Sequence, residues 1–207
     1  GVGRIIEGPA CVAEGAAWLV RADARLAPAL YETLPLRLRP DGFAELLSAI
    51  VSQQVSTASA AVIWQRCRDA GLTGEAAVAA ATEDELRAAG LSRPKAHYAK
   101  ALAEARLDYV KMRGQPAEDV IKTLTSVRGI GVWTAEIYAM FSLGRADVFA
   151  AGDLALQEGA RMLLGLEARP PEKDLRRIAE AWSPWRSVAA RALWAYYAQN
   201  KGREGVR

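Results

Sequence analysis

The chain has 207 residues, 51% hydrophobic and 25% charged, enough apolar content for a sizeable buried core in one large domain or two interlocked small ones. The net charge of +3 and an isoelectric point of about 9.0 are compatible with a nucleic-acid partner and do not require one. Two cysteines, Cys11 and Cys67, exclude a disulfide scaffold or a self-sufficient iron–sulfur cluster, and no apolar run reaches the roughly 20 residues that span a bilayer. No secretory pattern opens the sequence. The expectation is a reduced compartment: the cytoplasm with the nucleoid in a bacterium, the nucleus in a eukaryote, and no membrane.

The elements, in chain order, are almost all helical. Phe43, Leu46, Leu47, Ile50 and Val51 share one helix face, which Gln53 and Gln54 interrupt. Ser56 then caps a helix from Thr57 to about Asp69. Thr82 and Glu85 form a capping-box pattern for a short helix closed by Gly90. Ser92 and Pro94 start another through Tyr98 and Leu102. Pro116 opens one ending near Leu124, and a helix from Val132 to Leu143 is closed by Gly144. Asp153 caps Leu154 to Leu164, Pro171 opens a helix through Trp182, and Ser183-Pro184 opens the last, to about Ala198. Leu34–Arg39 alternates like a strand but lies between Pro35 and Pro40, so it reads as an extended linker. The fold class is all-α, with roughly ten helices.

Two segments carry chemistry. In Leu124-Thr125-Ser126-Val127-Arg128-Gly129-Ile130-Gly131-Val132-Trp133-Thr134 two helices meet at Gly-apolar-Gly. The glycines allow a sharp turn and close approach of a ligand, Ile130 is placed to pack inward, and the second helix begins with outward N–H groups suited to a phosphate. An ordinary helical turn is the alternative reading of this segment alone. The second segment is Asp147-Val148-Phe149-Ala150-Ala151-Gly152-Asp153, where a carboxylate ends a loop and starts a helix. Asp153 alone reads equally as an N-cap.

Together these segments resemble the helix-hairpin-helix, Gly/Pro-rich loop, aspartate superfamily of DNA glycosylases. Asp153 lies 20 residues after Trp133, as the family's essential aspartate does. Gln53-Gln54-Val55-Ser56 resembles the family's wedge loop, and Gly90 to Ala96 resembles another of its segments. Trp182-Ser183-Pro184-Trp185-Arg186-Ser187 resembles the C-terminal signature of the 3-methyladenine glycosylase II (alkyladenine) branch, in a compact form. The similarity covers about Phe43 to Tyr197. Two departures stand out: Ala150-Ala151-Gly152 lacks the loop's usual proline, and the expectation is a compact member without the extra N-terminal sheet domain of longer ones.

The resemblance implies two helical subdomains flanking a DNA-binding cleft, 41–145 with the hairpin and 1–40 plus 146–207 with the aspartate. It implies a monofunctional enzyme that flips an alkylated purine, such as 3-methyladenine or 7-methylguanine, out of double-stranded DNA and hydrolyses its N-glycosidic bond. Asp153 is then the catalytic residue. Trp133, Ile137, Leu154 and Trp194 line the base pocket, less aromatic than in some relatives. Gln54 is the wedge, and Ser56, Gly129, Ile130, Gly131, Thr134, Arg93 and Lys95 are expected against DNA. The lysine that lets bifunctional relatives nick the strand is replaced by Trp133. No cofactor is required; the carbonyls of Thr125, Val127 and Ile130 are the expected ligands of a monovalent cation, and the protein is expected to be a monomer. The competing readings are a glycosylase for deaminated or etheno bases, a non-catalytic DNA-binding module, and a helical scaffold.

Overall fold

The structure, a computed structural model, describes residues 1–30 and 33–204. It divides into two compact units: Gly1–Leu38 with Ala139–Arg207, and Arg39–Tyr138. Among the described residues the only β-type pairing is the isolated bridge between Ile5 and Arg145. Among the described residues no helix is long and apolar enough to cross a membrane.

The chain begins in the first unit. Ile6 donates its N–H to the Gly144 carbonyl at 2.6 Å, which ties the start of the chain to the first residues of its return. Helix α1 (Pro9–Ala22) buries Val12, Gly15 and Leu19. It ends at Asp23, which accepts a two-point pair from Arg25 and the buried Trp182 indole N–H at 2.9 Å. The Arg25 hydrogen bond, aided by Trp182, holds the Asp23 carboxyl at about 2 against the cost of burial. A short helix α2 (Ala27–Leu30) follows. The proline-bounded alternation of Leu34–Arg39 suggests an extended chain; the segment forms neither helix nor strand but is not extended throughout, because Arg37 turns to a left-handed φ of +52°. The buried Arg191 fixes it by donating to the Leu36 carbonyl at 2.9 Å.

The second unit is built of short helices, several of which start at a side-chain cap. Helix α3 (Phe43–Ser52) buries the Phe43, Leu46, Leu47, Ile50 and Val51 stripe. In α4 (Thr57–Asp69) the Ser56 hydroxyl accepts the Ser59 N–H at 3.1 Å. After α5 (Glu75–Ala80), Thr82 and Glu85 close a capping box around α6 (Glu83–Ala88). Helix α7 (Arg93–Ala105) buries Ala96, Ala99, Leu102 and Ala103 against α3, α5 and α6. Small residues at that seam let the helices approach closely, and each fully buried leucine there contributes roughly 1.5–3 kcal/mol. Helices α8 (Tyr109–Arg113), α9 (Ala117–Thr125) and α10 (Val132–Ile137) complete the unit, the last two forming the hairpin. The sequence suggests one helix to Leu143. Instead α10 passes into a π-turn, Tyr138–Ser142, before the left-handed Gly144.

Back in the first unit, α11 (Leu154–Leu164) packs on α13 (Arg186–Glu204), and α12 (Glu172–Ala179) precedes a 3₁₀ turn, Glu180–Trp182. Gly159 makes the α11–α13 contact possible: a Cβ there would lie 2.7 Å from the Leu193 carbonyl oxygen. The last helix starts at Arg186, later than the Ser183-Pro184 pair suggests. Trp185 N–H turns back to the Trp182 carbonyl and Ser187 N–H is taken by the Ala146 carbonyl. Asp147 anchors this junction, accepting from Ser183 Oγ at 2.6 Å and Arg186 Nε at 2.8 Å.

Candidate active site and nucleic-acid interface

In the second unit, the hairpin turn follows α9. Gly129 has φ +95°, and an added Cβ would overlap the Tyr98 ring, so conformation and packing both require glycine. Ile130 is buried and its N–H bonds to the Val127 carbonyl at 3.1 Å, which pins the turn to the unit's core. Gly131 differs. Its φ is −89°, nothing lies within 4 Å of an added Cβ, and it gives α10 no side-chain cap. Neither backbone nor packing calls for glycine there; an external group approaching the first turn of α10 would. Val132 and Trp133 stand out from this turn, each about half exposed, whereas the Thr134 side chain is buried, so a contact from Thr134 comes through its backbone.

The Gln53–Ser56 loop belongs to the same unit. Gln54 is exposed and has φ +57°, left-handed for a residue with a side chain. Ser56 spends its hydroxyl on capping α4. Lys95 Nζ donates to the Val51 carbonyl at 2.8 Å and closes the end of α3, and burial pushes the ammonium below its usual range. Arg93 is exposed and pairs with Glu83, which His97 also reaches at 3.1 Å.

In the first unit, the loop from Val148 to Ala151 is buried. It has no proline, yet two side chains clamp its carbonyls: Gln157 Nε2 holds Ala151 at 2.9 Å, and Arg176 Nη1 holds Phe149 at 3.3 Å. Asp153 N–H closes on the Ala150 carbonyl at 2.9 Å. The Asp153 carboxylate then caps α11, its Oδ1 accepting the Leu156 N–H at 2.9 Å. The same oxygen accepts the Trp194 indole N–H at 3.0 Å. The Trp194 ring rests against Phe141 with centroids 5.7 Å apart, and Leu154, beside Asp153, is 61% exposed. A half-buried carboxylate oriented by an indole on a clamped loop, next to an exposed apolar side chain, suits stabilisation of positive charge on a docked substrate.

Thus Asp153, Leu154 and Trp194 come together in one unit. Gln54, Ser56, Gly129 to Gly131, Trp133, Thr134, Ile137, Arg93 and Lys95 lie in the other. The sequence gives no individual site role to four side chains that build these sites: Gln53, whose amide meets the hairpin, Tyr98, Gln157 and Arg176. Gln157 left a trace, a polar residue in the buried stripe Leu156, Gly159 and Ala160. Gln53 left one as well, a break in the apolar face that ends at Val51, whereas the contacts of Tyr98 and Arg176 with distant residues leave none.

Residues 47–184 match the family described as HhH-GPD superfamily base excision DNA repair protein. DNA-3-methyladenine glycosylase 1 of Schizosaccharomyces pombe is 32% identical over 165 residues, 75% of this chain and 72% of that protein. The crystal structure of a DNA-3-methyladenine glycosidase from Bacillus halodurans superposes with a TM-score of 0.83 at 33% identity, covering 96% of this chain and 94% of the other. A Schizosaccharomyces pombe 3-methyladenine DNA glycosylase in complex with abasic DNA superposes with a TM-score of 0.73 at 28% identity, covering 88% and 94%.

Proposed function

The chain belongs to the HhH-GPD superfamily of base excision DNA repair proteins, and we propose that it is a monofunctional DNA glycosylase that excises alkylated purines by hydrolysing the N-glycosidic bond. The observation that carries the chemistry is the Asp153 carboxylate at the end of its clamped loop, oriented by the Trp194 N–H.

Double-stranded DNA with a damaged base is the substrate. The hairpin grips its backbone without reading sequence, through the first turn of α10 at Gly131. The damaged nucleotide leaves the stack at a cost of roughly a few kcal/mol, lower for a lesion than for a paired base, and Gln54 fills the gap. A purine alkylated at N3 or N7 is cationic, and an aromatic face attracts it by about 0.5–2 kcal/mol. In the unit that holds Asp153, Trp194 supplies such a face and Leu154 an apolar contact; in the hairpin unit, Trp133 offers a face and Ile137 an apolar contact. As the C1′–N bond breaks, its electron pair leaves with the base and neutralises it. Positive charge grows on the sugar, where the Asp153 carboxylate opposes it. Water then bonds to C1′, and its proton passes to Asp153 or solvent. Because the leaving base is already cationic, no general acid is needed. Trp133 stands where a strand-nicking relative has lysine, so no Schiff base forms from that position.

The carbonyls of Thr125, Val127 and Ile130 are neutral oxygen donors of the kind a hard monovalent cation takes. Val127 already accepts one N–H and keeps a second lone pair for such an ion. The ion would supply positive charge beside a DNA phosphate. The protein acts as a monomer wherever the chromosome is kept.

The test is base release from duplexes carrying 3-methyladenine, 7-methylguanine, 1,N6-ethenoadenine or hypoxanthine. The expected result is release of the methylpurines, with strand breaks appearing only after alkali. Release confined to etheno or deaminated bases would reassign the pocket, breaks without alkali would overturn the monofunctional assignment, and DNA binding without release would leave a binding module.

A further inference from the structure

Gln53 lies at the C-terminus of α3, immediately before the exposed Gln54. Its side chain turns away from its own helix: Nε2 donates to the Gly129 carbonyl at 3.0 Å, between residues 76 positions apart. The bond therefore joins the wedge-like loop directly to the hairpin turn. One turn of α7 supports both ends. Lys95 Nζ holds the Val51 carbonyl at 2.8 Å, stopping α3 where the loop begins. Tyr98, three residues on, lays its ring on Gly129 so closely that only glycine fits. All of these residues belong to the Arg39–Tyr138 unit.

This framework accounts for the backbone of Gln54. A left-handed φ of +57° in a residue with a side chain persists only where the surroundings over-determine it. Gln53 and Lys95 fix the chain on the N-terminal side of Gln54, and the capped start of α4 at Ser56 fixes it on the other.

We propose that Gln53 is a positioning residue that locks the Gln54 loop to the hairpin, so that capture of the backbone at Gly131 and entry of Gln54 into the base stack occur in one fixed register. A slack loop would let the hairpin hold DNA while the wedge missed the gap. Gln53 thus governs flipping and not general DNA affinity. This rests on the glycosylase reading above.

The experiment compares the wild type, Gln53→Met, Gln54→Ala and the double variant on a duplex with 2-aminopurine next to 7-methylguanine. It reads the fluorescence rise on flipping, the single-turnover release rate at saturating enzyme, and affinity for undamaged duplex. Gln53→Met keeps the stem and loses the donor. It is expected to lower the fluorescence rise and the rate about fivefold, the equivalent of one neutral hydrogen bond, with undamaged-duplex affinity within about twofold. The double variant is expected to be no slower than Gln54→Ala, since Gln53 acts through Gln54. Gln53→Glu, of similar size and unable to donate when ionised, gives the same reading if the methionine variant loses its fold. Unchanged flipping and rate, independent losses that multiply, or a parallel loss of undamaged-duplex affinity would each overturn the proposal. If the wild type releases no base from any duplex, the glycosylase reading itself fails, which is a separate result.

Discussion

Asp153 combines two properties of one side chain: an acceptor geometry and a charge. Its Oδ1 takes the Leu156 N–H, which starts α11, and the Trp194 N–H, which aims the carboxylate. An N-cap is worth about 1 kcal/mol, and asparagine caps as well as aspartate. Replacing Asp153 with Asn therefore removes the charge and spares the fold, whereas alanine removes both. Trp194 separates in the same way. Trp194→Phe keeps a ring against Phe141 and loses the donor to Asp153. The expected outcome in steady-state release of 7-methylguanine is a kcat about tenfold lower with KM within about twofold, the loss of one hydrogen bond to a charged group. A rise in KM with unchanged kcat would make Trp194 a stacking surface only. The cap was legible in the sequence because capping is local. The Trp194 bond was not, because its partners are 41 residues apart and no local pattern joins them.

At the scale of elements, the hairpin shows how a motif conceals a division of labour. Gly129 and Gly131 look equivalent in Gly-Ile-Gly. In the structure the first has φ +95° against Tyr98, and the second has ordinary backbone angles and open space. Gly129→Ala is expected to destabilise the fold by roughly 2 kcal/mol or more, seen as a lower melting temperature. Gly131→Ala is expected to leave the melting temperature unchanged and to weaken duplex binding about tenfold by fluorescence anisotropy, since the methyl group occupies the space a phosphate approaches. The opposite pattern would place the DNA contact elsewhere. Legibility followed the same division. Helix starts at Ser56, Thr82, Ser92 and Asp153 follow from hydroxyl and carboxylate caps one turn from their partners. The π-turn after Ile137 and the delayed start at Arg186 depend on bonds formed only once the chain has folded, such as Ser187 N–H on the Ala146 carbonyl.

For the whole molecule, helical class and family were readable because cap residues, apolar spacing and the hairpin–aspartate pair are written along the chain. The ties that set each unit's tertiary arrangement were not. Gln53 on Gly129, Arg191 on Leu36 and Trp182 on Asp23 are each one side chain meeting a group far away in sequence, and composition carries no record of such pairs. The two units divide the work proposed here, one holding the hairpin and its wedge loop, the other the clamped aspartate. In this mechanism the charge of Asp153 performs the chemistry. The most direct measurement is single-turnover release of 7-methylguanine by the wild type and Asp153→Asn, with affinity for the same duplex measured in parallel. The expected rate for the variant is at least about a hundredfold lower, at unchanged affinity and melting temperature. Release by Asp153→Asn at the wild-type rate would remove the carboxylate charge from the mechanism.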